Sequence, residues 1–162
     1  MDEQKDISDH FTWEDVVRSD TAARLGIDNT LPEELKPAAI NTSKGMESVR
    51  ALLGKPIYVS SWYRCLELNE ALKSKPTSQH IKAEAVDFTS PKFGTPLEVC
   101  SRILKYPELI KFDQLILEHT WVHISFSAIP GVKQRGQVLS LLSSGKYALG
   151  LTDKSGVPYG NA

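Results

Sequence analysis

The chain lacks most of the features that assign a sequence to a specialised class of protein. It has only two cysteines, which excludes a disulfide framework. Its formal net charge is -1, so no basic surplus indicates a nucleic-acid partner and no cluster of lysine and arginine indicates an anionic membrane. No apolar run approaches the roughly 20 residues needed to cross a bilayer. We therefore expect a globular protein, monomeric, that binds neither nucleic acid nor membrane.

The length and composition fit one ordinary domain with a sizeable core. The chain has 162 residues, of which 41% are hydrophobic and 24% charged. We expect a flexible leader over residues 1–10, a folded domain over 11–151, and a flexible tail over 152–162, where Asp, Ser, Gly, Pro and Asn accumulate.

The pattern of apolar residues and turn signals predicts an α+β fold, with helices packed on a small antiparallel sheet. Helical spacing and capping residues predict helices over 12–25, 35–53, 65–73 and 95–105. Short β-branched or aromatic runs predict strands over 56–60, 85–88, 114–117 and 121–126, and a last helix or strand over 136–142.

Three residues suggest a metal site. His80 lies in a predicted loop, Asp87 follows on a strand, and His123 lies on another strand. Two imidazoles and one carboxylate are the ligand set of a catalytic zinc site, and three protein ligands leave the fourth tetrahedral position open. Other first-row ions accept the same set. Because alternate strand residues share a face, Val122 and Ile124 should face the core and His123 a cleft.

The motifs around these residues follow a specific order. They read Ser60-Ser61-Trp62-Tyr63-Arg64, then Ser78-x-His80-x-x-Ala83-x-Ala85-x-Asp87, then Phe112-Asp113-Gln114-Leu115-Ile116-Leu117-Glu118, and last Trp121-Val122-His123-Ile124-Ser125. This order resembles the zinc D-alanyl-D-alanine carboxypeptidase family, especially its small phage and prophage members. The family pattern has Gly where this chain has Ala83 and Trp62, and some members place a Glu three residues before the last histidine, whereas Glu118 lies five before His123.

The resemblance implies a fold, a cofactor and roles for single residues. The fold would be that of the D-Ala-D-Ala carboxypeptidases and hedgehog-like peptidases, and the cofactor would be zinc on His80, Asp87 and His123. Arg64 would bind a substrate carboxylate or the developing oxyanion. Ser78 and Gln79 would orient His80 or contact substrate. The general base would be Glu118, with His119 as its rival.

The resemblance also implies a substrate and a place of action. The substrate would be the peptidoglycan stem peptide, cut by a carboxypeptidase, or by an endopeptidase acting within the stem or a crosslink. A non-catalytic cell-wall or virion module on the same fold is a third hypothesis. Met1-Asp2-Glu3-Gln4-Lys5-Asp6 lacks the pattern of a signal peptide. We therefore expect synthesis in the cytoplasm and access to the cell wall after lysis, through a holin-type pore or from a virion, as in phage lysins.

Overall fold

The helices precede the last four strands along the chain, and residues 5–160 are described by the computed structural model. The N-terminal elements are β1 (Asp6–Ser8), β2 (Phe11–Thr12), α1 (Trp13–Val17), α2 (Asp20–Leu25) and α3 (Lys36–Leu53). The elements that follow are β3 (Tyr58–Ser61), α4 (Leu66–Ala71), β4 (Ala85–Thr89), α5 (Pro96–Leu104), β5 (Gln114–Leu117), β6 (Val122–Ser125), β7 (Gln137–Leu141) and β8 (Tyr147–Leu149). The predicted α+β class is confirmed.

The main sheet has six strands in the order β3-β4-β6-β5-β7-β8. Its neighbouring strands are antiparallel except β5 and β7, which are parallel. The prediction of an antiparallel sheet is therefore correct for most of the sheet. The parallel pair arises because the connection from β6 to β7 crosses the start of β5, so that β7 begins level with Gln114 and runs in the direction of β5.

One face of the sheet forms the hydrophobic core together with α3 and α5. The core side chains of the central strands are fully or almost fully buried, and they are Val86, Phe88, Leu115, Leu117, Val122 and Ile124. Helix α5 contacts both β5 and β6 from this side. The opposite face of the central strands carries the polar side chains of the candidate site.

The region predicted as one helix over residues 12–25 contains two. Thr12 caps α1 in a capping box with Asp15, and Gly26 ends α2 in a left-handed conformation at φ 68°, as expected. Between them Arg18 is extended, and the Ser19 hydroxyl accepts a hydrogen bond from the Ala22 amide, which starts α2. The prediction of a continuous helix is wrong because a serine placed here caps a new helix.

Both ends of the chain contain ordered contacts. Part of the predicted leader forms β1, and Ser8 and His10 both hydrogen-bond the Glu47 carboxylate on α3. In the predicted tail, Thr152 is buried and pairs with Pro158 across an isolated bridge. Residues 1–4 of the predicted leader and 161–162 of the predicted tail lie outside the described residues. Within residues 5–160, no helix combines the length and apolar character needed to cross a membrane.

Candidate metal centre

Two central strands bring a carboxylate and an imidazole together on the face opposite the core. Asp87 on β4 and His123 on β6 are direct cross-strand partners, so their side chains share a face. The flanking residues Val122 and Ile124 are fully buried on the other side, as the alternation predicts. A hydrogen-bond distance of 2.9 Å separates His123 Nδ1 from Asp87 Oδ1.

The third residue arrives on a short 3-10 turn. His80 lies in the turn Gln79–Lys82, which the Ser78 hydroxyl caps by accepting a hydrogen bond from the His80 amide. The turn ends at Ala83, which has a φ of 60°. A left-handed residue at this point explains why the family pattern has glycine there, because glycine adopts that conformation without steric cost.

A backbone carbonyl fixes the orientation of the His80 ring. His80 Nδ1 donates to the Trp62 carbonyl oxygen at 2.6 Å, and the Trp62 indole donates to the Ala83 carbonyl oxygen at 3.1 Å. The proton therefore lies on Nδ1, and the lone pair of Nε2 points toward Asp87. Burial lowers the pKa of His80, which favours the neutral imidazole that metals require.

The three side chains form a compact donor set. One ligand atom from each of His80, Asp87 and His123 lies within 4.8 Å of the other two. His80 Nε2 is 3.3 Å from Asp87 Oδ1. The two histidine rings pack edge to face with centroids 5.1 Å apart. All three side chains are nearly buried, so solvent has little access to the donor atoms.

This donor set fits a tetrahedral metal ion. A neutral His80 presents a lone pair to a carboxylate oxygen, and two acceptors in contact repel each other unless a cation lies between them. Tetrahedral bonds of about 2.0–2.2 Å place neighbouring donor atoms about 3.3–3.6 Å apart. The separation of 3.3 Å between His80 Nε2 and Asp87 Oδ1 matches that spacing, and the 2.9 Å between His123 Nδ1 and Asp87 Oδ1 is a few tenths of an ångström shorter. Two nitrogen donors and one oxygen donor suit zinc and related first-row ions.

Arg64 lies against the carboxylate of Asp87. Its Nη2 donates to Asp87 Oδ2 at 3.3 Å, and its Nε donates to the Ser61 hydroxyl at 3.2 Å. Burial opposes ionisation of Asp87, but the charges and hydrogen bonds of His80 and His123 hold its pKa far below the usual range. A guanidinium has five N–H donors, so these two bonds leave others for a substrate oxygen.

Glu118 lies just after β5, and its carboxyl interacts electrostatically with the cluster formed by His80, Asp87 and His123. Its amide donates to the Trp121 carbonyl across the β5–β6 turn. Burial raises the pKa of its carboxyl to about 7, and the negative charge of Asp87 adds to the increase, while His123 and Arg64 oppose it. A carboxylate with a pKa near neutrality is suited to exchange protons at physiological pH.

His119, the rival to Glu118, has its ring engaged elsewhere. It adopts a left-handed conformation at φ 70°, and its Nε2 contacts the Leu141 carbonyl oxygen on β7. The ring therefore links the β5–β6 turn to β7. The His119 ring is thus directed to β7, whereas the Glu118 carboxyl interacts with the charges of Asp87, His123 and Arg64.

Gln79 contacts carboxylates beside the turn that carries His80. Its Nε2 donates to Glu84 Oε1 at 3.3 Å and to Asp113 Oδ2 at 3.1 Å. Asp113 in turn forms a bidentate ion pair with Arg135, whose Nε donates to Oδ1 and whose Nη2 donates to Oδ2. Gln79 therefore connects the His80 turn to two carboxylates, while the Ser78 hydroxyl caps the same turn.

Sequence reasoning did not identify two groups that shape the site. The Trp62 carbonyl is a backbone group, so its role leaves no signal in residue type. Glu84 is 4% exposed and accepts hydrogen bonds from Gln79 and from the Ala128 amide. It occupies a variable position of the motif, and a buried carboxylate cannot be distinguished there from an exposed one by spacing alone.

A comparison with protein families assigns most of the chain to a known family. The peptidase M15 family matches residues 9–125. The chain belongs to this family. The resemblance to the zinc D-alanyl-D-alanine carboxypeptidases is confirmed, as is the fold class that it implied. A comparison with curated proteins finds no match. The matched range of this M15 peptidase contains Arg64, His80, Asp87, Glu118 and His123, and it ends before β7 and β8.

The raised pKa of Glu118 predicts a pH-dependent stability of the metal-free M15 peptidase. Below about pH 4.5 the carboxyl is protonated in the folded and the unfolded chain, and it then has no effect. As the pH rises from 4.5 through 7, ionisation is easier in the unfolded chain, so stability is lost. Glu118→Gln should thus be more stable than wild type at pH 8 by about 1–2 kcal/mol, after allowance for solvent screening.

Urea unfolding in the presence of a chelator measures this difference. The two proteins should be equally stable near pH 4 and differ at pH 8. Glu108→Gln is the matched control, because Glu108 is exposed, and it should equal wild type at both pH values. Equal stability of Glu118→Gln and wild type at pH 8 would contradict the conclusion that burial and the charge of Asp87 raise the pKa of Glu118.

Proposed function

We propose that the protein is a zinc-dependent peptidase that hydrolyses peptidoglycan stem peptides, of the D-Ala-D-Ala carboxypeptidase type. The observation that carries the proposal is the convergence of His80, Asp87 and His123 beside a carboxyl group, Glu118, whose pKa is about 7. Membership of the M15 peptidases supports the reaction class and the polymer.

The proposed roles divide the site into a metal-binding part and a proton-transferring part. His80, Asp87 and His123 would hold the ion, and the Trp62 carbonyl would keep His80 in the tautomer that can ligate. Zinc held there would supply a Lewis acid that polarises the scissile carbonyl and a nucleophile that is available at neutral pH.

Glu118 would accept the proton of the attacking water and pass it to the leaving amine. Its pKa of about 7 allows both steps, because the carboxylate can take up a proton and the acid can release it near neutral pH. Ligation of a cation nearby would favour the ionised form, which is the form that starts the reaction.

Arg64 would bind the negative charge of the substrate or of the transition state. It is anchored by Asp87 and Ser61, so its remaining donors are held in place rather than free to rotate. A pre-positioned guanidinium binds a carboxylate bidentately, which suits the free C-terminus of a stem peptide.

Stem peptides with a free and with an amidated C-terminus test the carboxypeptidase assignment. Products are identified by mass spectrometry after incubation with the zinc-loaded protein, with and without chelator. We expect chelator-sensitive release of terminal D-alanine from the free acid only, because amidation leaves the Arg64 charge without its partner. Internal cleavage of both forms would instead support an endopeptidase. No cleavage of either form or of whole peptidoglycan would overturn the enzyme proposal and favour a non-catalytic wall-binding module.

A further inference from the structure

The sheet face that carries the metal cluster continues onto the C-terminal strands. Cross-strand partners run from His123 to Ile116 on β5, then to Leu139 on β7 and Leu149 on β8. Directly paired residues project from the same face, so these side chains share the face of His123. The neighbouring Val138 packs against the hydrophobic core, in agreement with this alternation.

A second row of side chains lies two residues further along the strands. Leu141 on β7 pairs with Tyr147 on β8. Leu117 pairs with Ser140, so Glu118 lies level with Leu141, and the His119 ring contacts the Leu141 carbonyl. Tyr147 therefore lies in the same row as the turn that carries Glu118. Partial burial raises the pKa of Tyr147, and the charges of Glu118 and Asp87 add to the increase, so its phenol lies within the electrostatic field of the site.

These side chains form a surface that we call the hairpin platform, made of Leu139, Leu141, Tyr147 and Leu149. Leu139 and Leu141 are partly buried, Tyr147 is 47% exposed, and Leu149 is 80% exposed. The platform is apolar except for the phenol hydroxyl. An apolar surface that adjoins a polar cleft is typical of the walls that bind the non-reacting parts of a ligand.

The dimensions of the platform match those of an extended peptide. Three strand spacings of about 4.8 Å separate β6 from β8, which makes about 14 Å. An extended chain advances about 3.3–3.6 Å per residue, so about four residues bridge that distance. A peptide that crosses the strands from the metal cluster would reach Tyr147 and Leu149 with its fourth residue.

We propose that the hairpin platform is a substrate subsite, which binds the extended stem peptide up to about four residues from the scissile bond. The inference rests on the proposed function and specifies which part of the substrate is recognised. The leucines contact the methyl and methylene groups of the peptide, and the Tyr147 hydroxyl hydrogen-bonds its backbone. Binding energy from these remote contacts makes the protein prefer long stems over short ones.

Kinetics with substrates of different length test the subsite. The substrates are the full stem peptide and the shortest stem fragment that the wild type cleaves, and the variants are Tyr147→Ala and Leu149→Ser. For each variant we expect kcat/KM on the full stem to fall about tenfold, mainly through KM, and to stay within about twofold on the short fragment. Tyr147→Phe should show a smaller loss than Tyr147→Ala, because it keeps the ring.

Tyr106→Ala is the matched control. Tyr106 is also a partly exposed tyrosine, at 37%, but it follows α5, which packs on the core side of the sheet. It should behave like wild type on both substrates. Equal losses on both substrates in the platform variants, or no loss on either, would overturn the subsite, while absence of cleavage by the wild type would overturn the proposed function instead.

Binding to an inactive protein gives a second readout that does not depend on turnover. Calorimetric titration of Glu118→Gln with the full stem peptide should show about tenfold weaker binding when Tyr147→Ala is added. The short fragment should bind both proteins equally. Unchanged affinity for the full stem in the double variant would contradict the subsite even if the kinetics had changed.

Discussion

Glu118→Gln is expected to lower kcat by about 100-fold or more on a stem peptide while the fold and the bound zinc are retained. The substitution keeps the size and shape of the side chain and removes its ability to accept a proton. Since Glu118 belongs to neither the metal cluster nor the core, the loss should appear in kcat with little change in KM. Steady-state kinetics with metal analysis of the same preparation measure both quantities.

His119→Ala is the matched control for the general base. It is adjacent in the chain and removes a titratable group, yet its ring contacts the Leu141 carbonyl. We expect it to retain most of the turnover, with a modest loss of stability from the missing link between the β5–β6 turn and β7. If His119→Ala lost most of its kcat while Glu118→Gln kept nearly the wild-type kcat, His119 would be the general base and Glu118 would not.

The placement of the cluster could be predicted from the sequence because it depends on local rules. Alternation along β6 directs His123 to the face opposite Val122 and Ile124, and the same alternation on β4 directs Asp87 to the site face. A polar turn before β4 then delivers His80. These relations need no knowledge of distant parts of the chain, and the resemblance to the zinc carboxypeptidases implied that the three residues form one ligand set.

Contacts between distant segments could not be predicted in the same way. The Trp62 carbonyl that orients His80 is contributed by the segment after β3, and any residue type could supply a carbonyl. Tyr147 reaches the site face through β8, a short strand that no strong pattern marks, and through the parallel pairing of β5 with β7. Both features depend on strand order, which single-segment periodicity does not encode.

The departure of Trp62 from the family pattern has a physical explanation in this fold. A glycine at that position could supply the same carbonyl to His80 but no side chain. Here the indole is fully buried, packs edge to face on Phe11 and hydrogen-bonds the Ala83 carbonyl. The side chain thus adds a second connection between the segment after β3 and the end of the His80 turn, and this should restrict the motion of the His80 ring.

His123→Ala is expected to abolish stoichiometric zinc binding and, with it, the stabilisation that zinc confers on the wild type. Loss of one of three protein ligands removes a nitrogen donor that lies 2.9 Å from the Asp87 carboxylate. For the wild type, free zinc at about a thousand times its dissociation constant should stabilise the fold by about 4 kcal/mol, which corresponds to a rise in Tm of about 8–16 °C. The same zinc concentration should shift the Tm of His123→Ala by little. Because neutral imidazole is the ligand form, the zinc effect on the wild type should also weaken toward acidic pH.

His10→Ala is the matched control, since it removes a histidine that contacts Glu47 rather than the cluster, and it should keep both the bound zinc and the zinc-dependent shift in Tm. Metal analysis after dialysis and thermal unfolding with and without zinc give the two readouts. One zinc per chain in His123→Ala, with a wild-type shift in Tm, would remove His123 from the ligand set and would leave His80 and Asp87 to bind the ion with a donor from elsewhere.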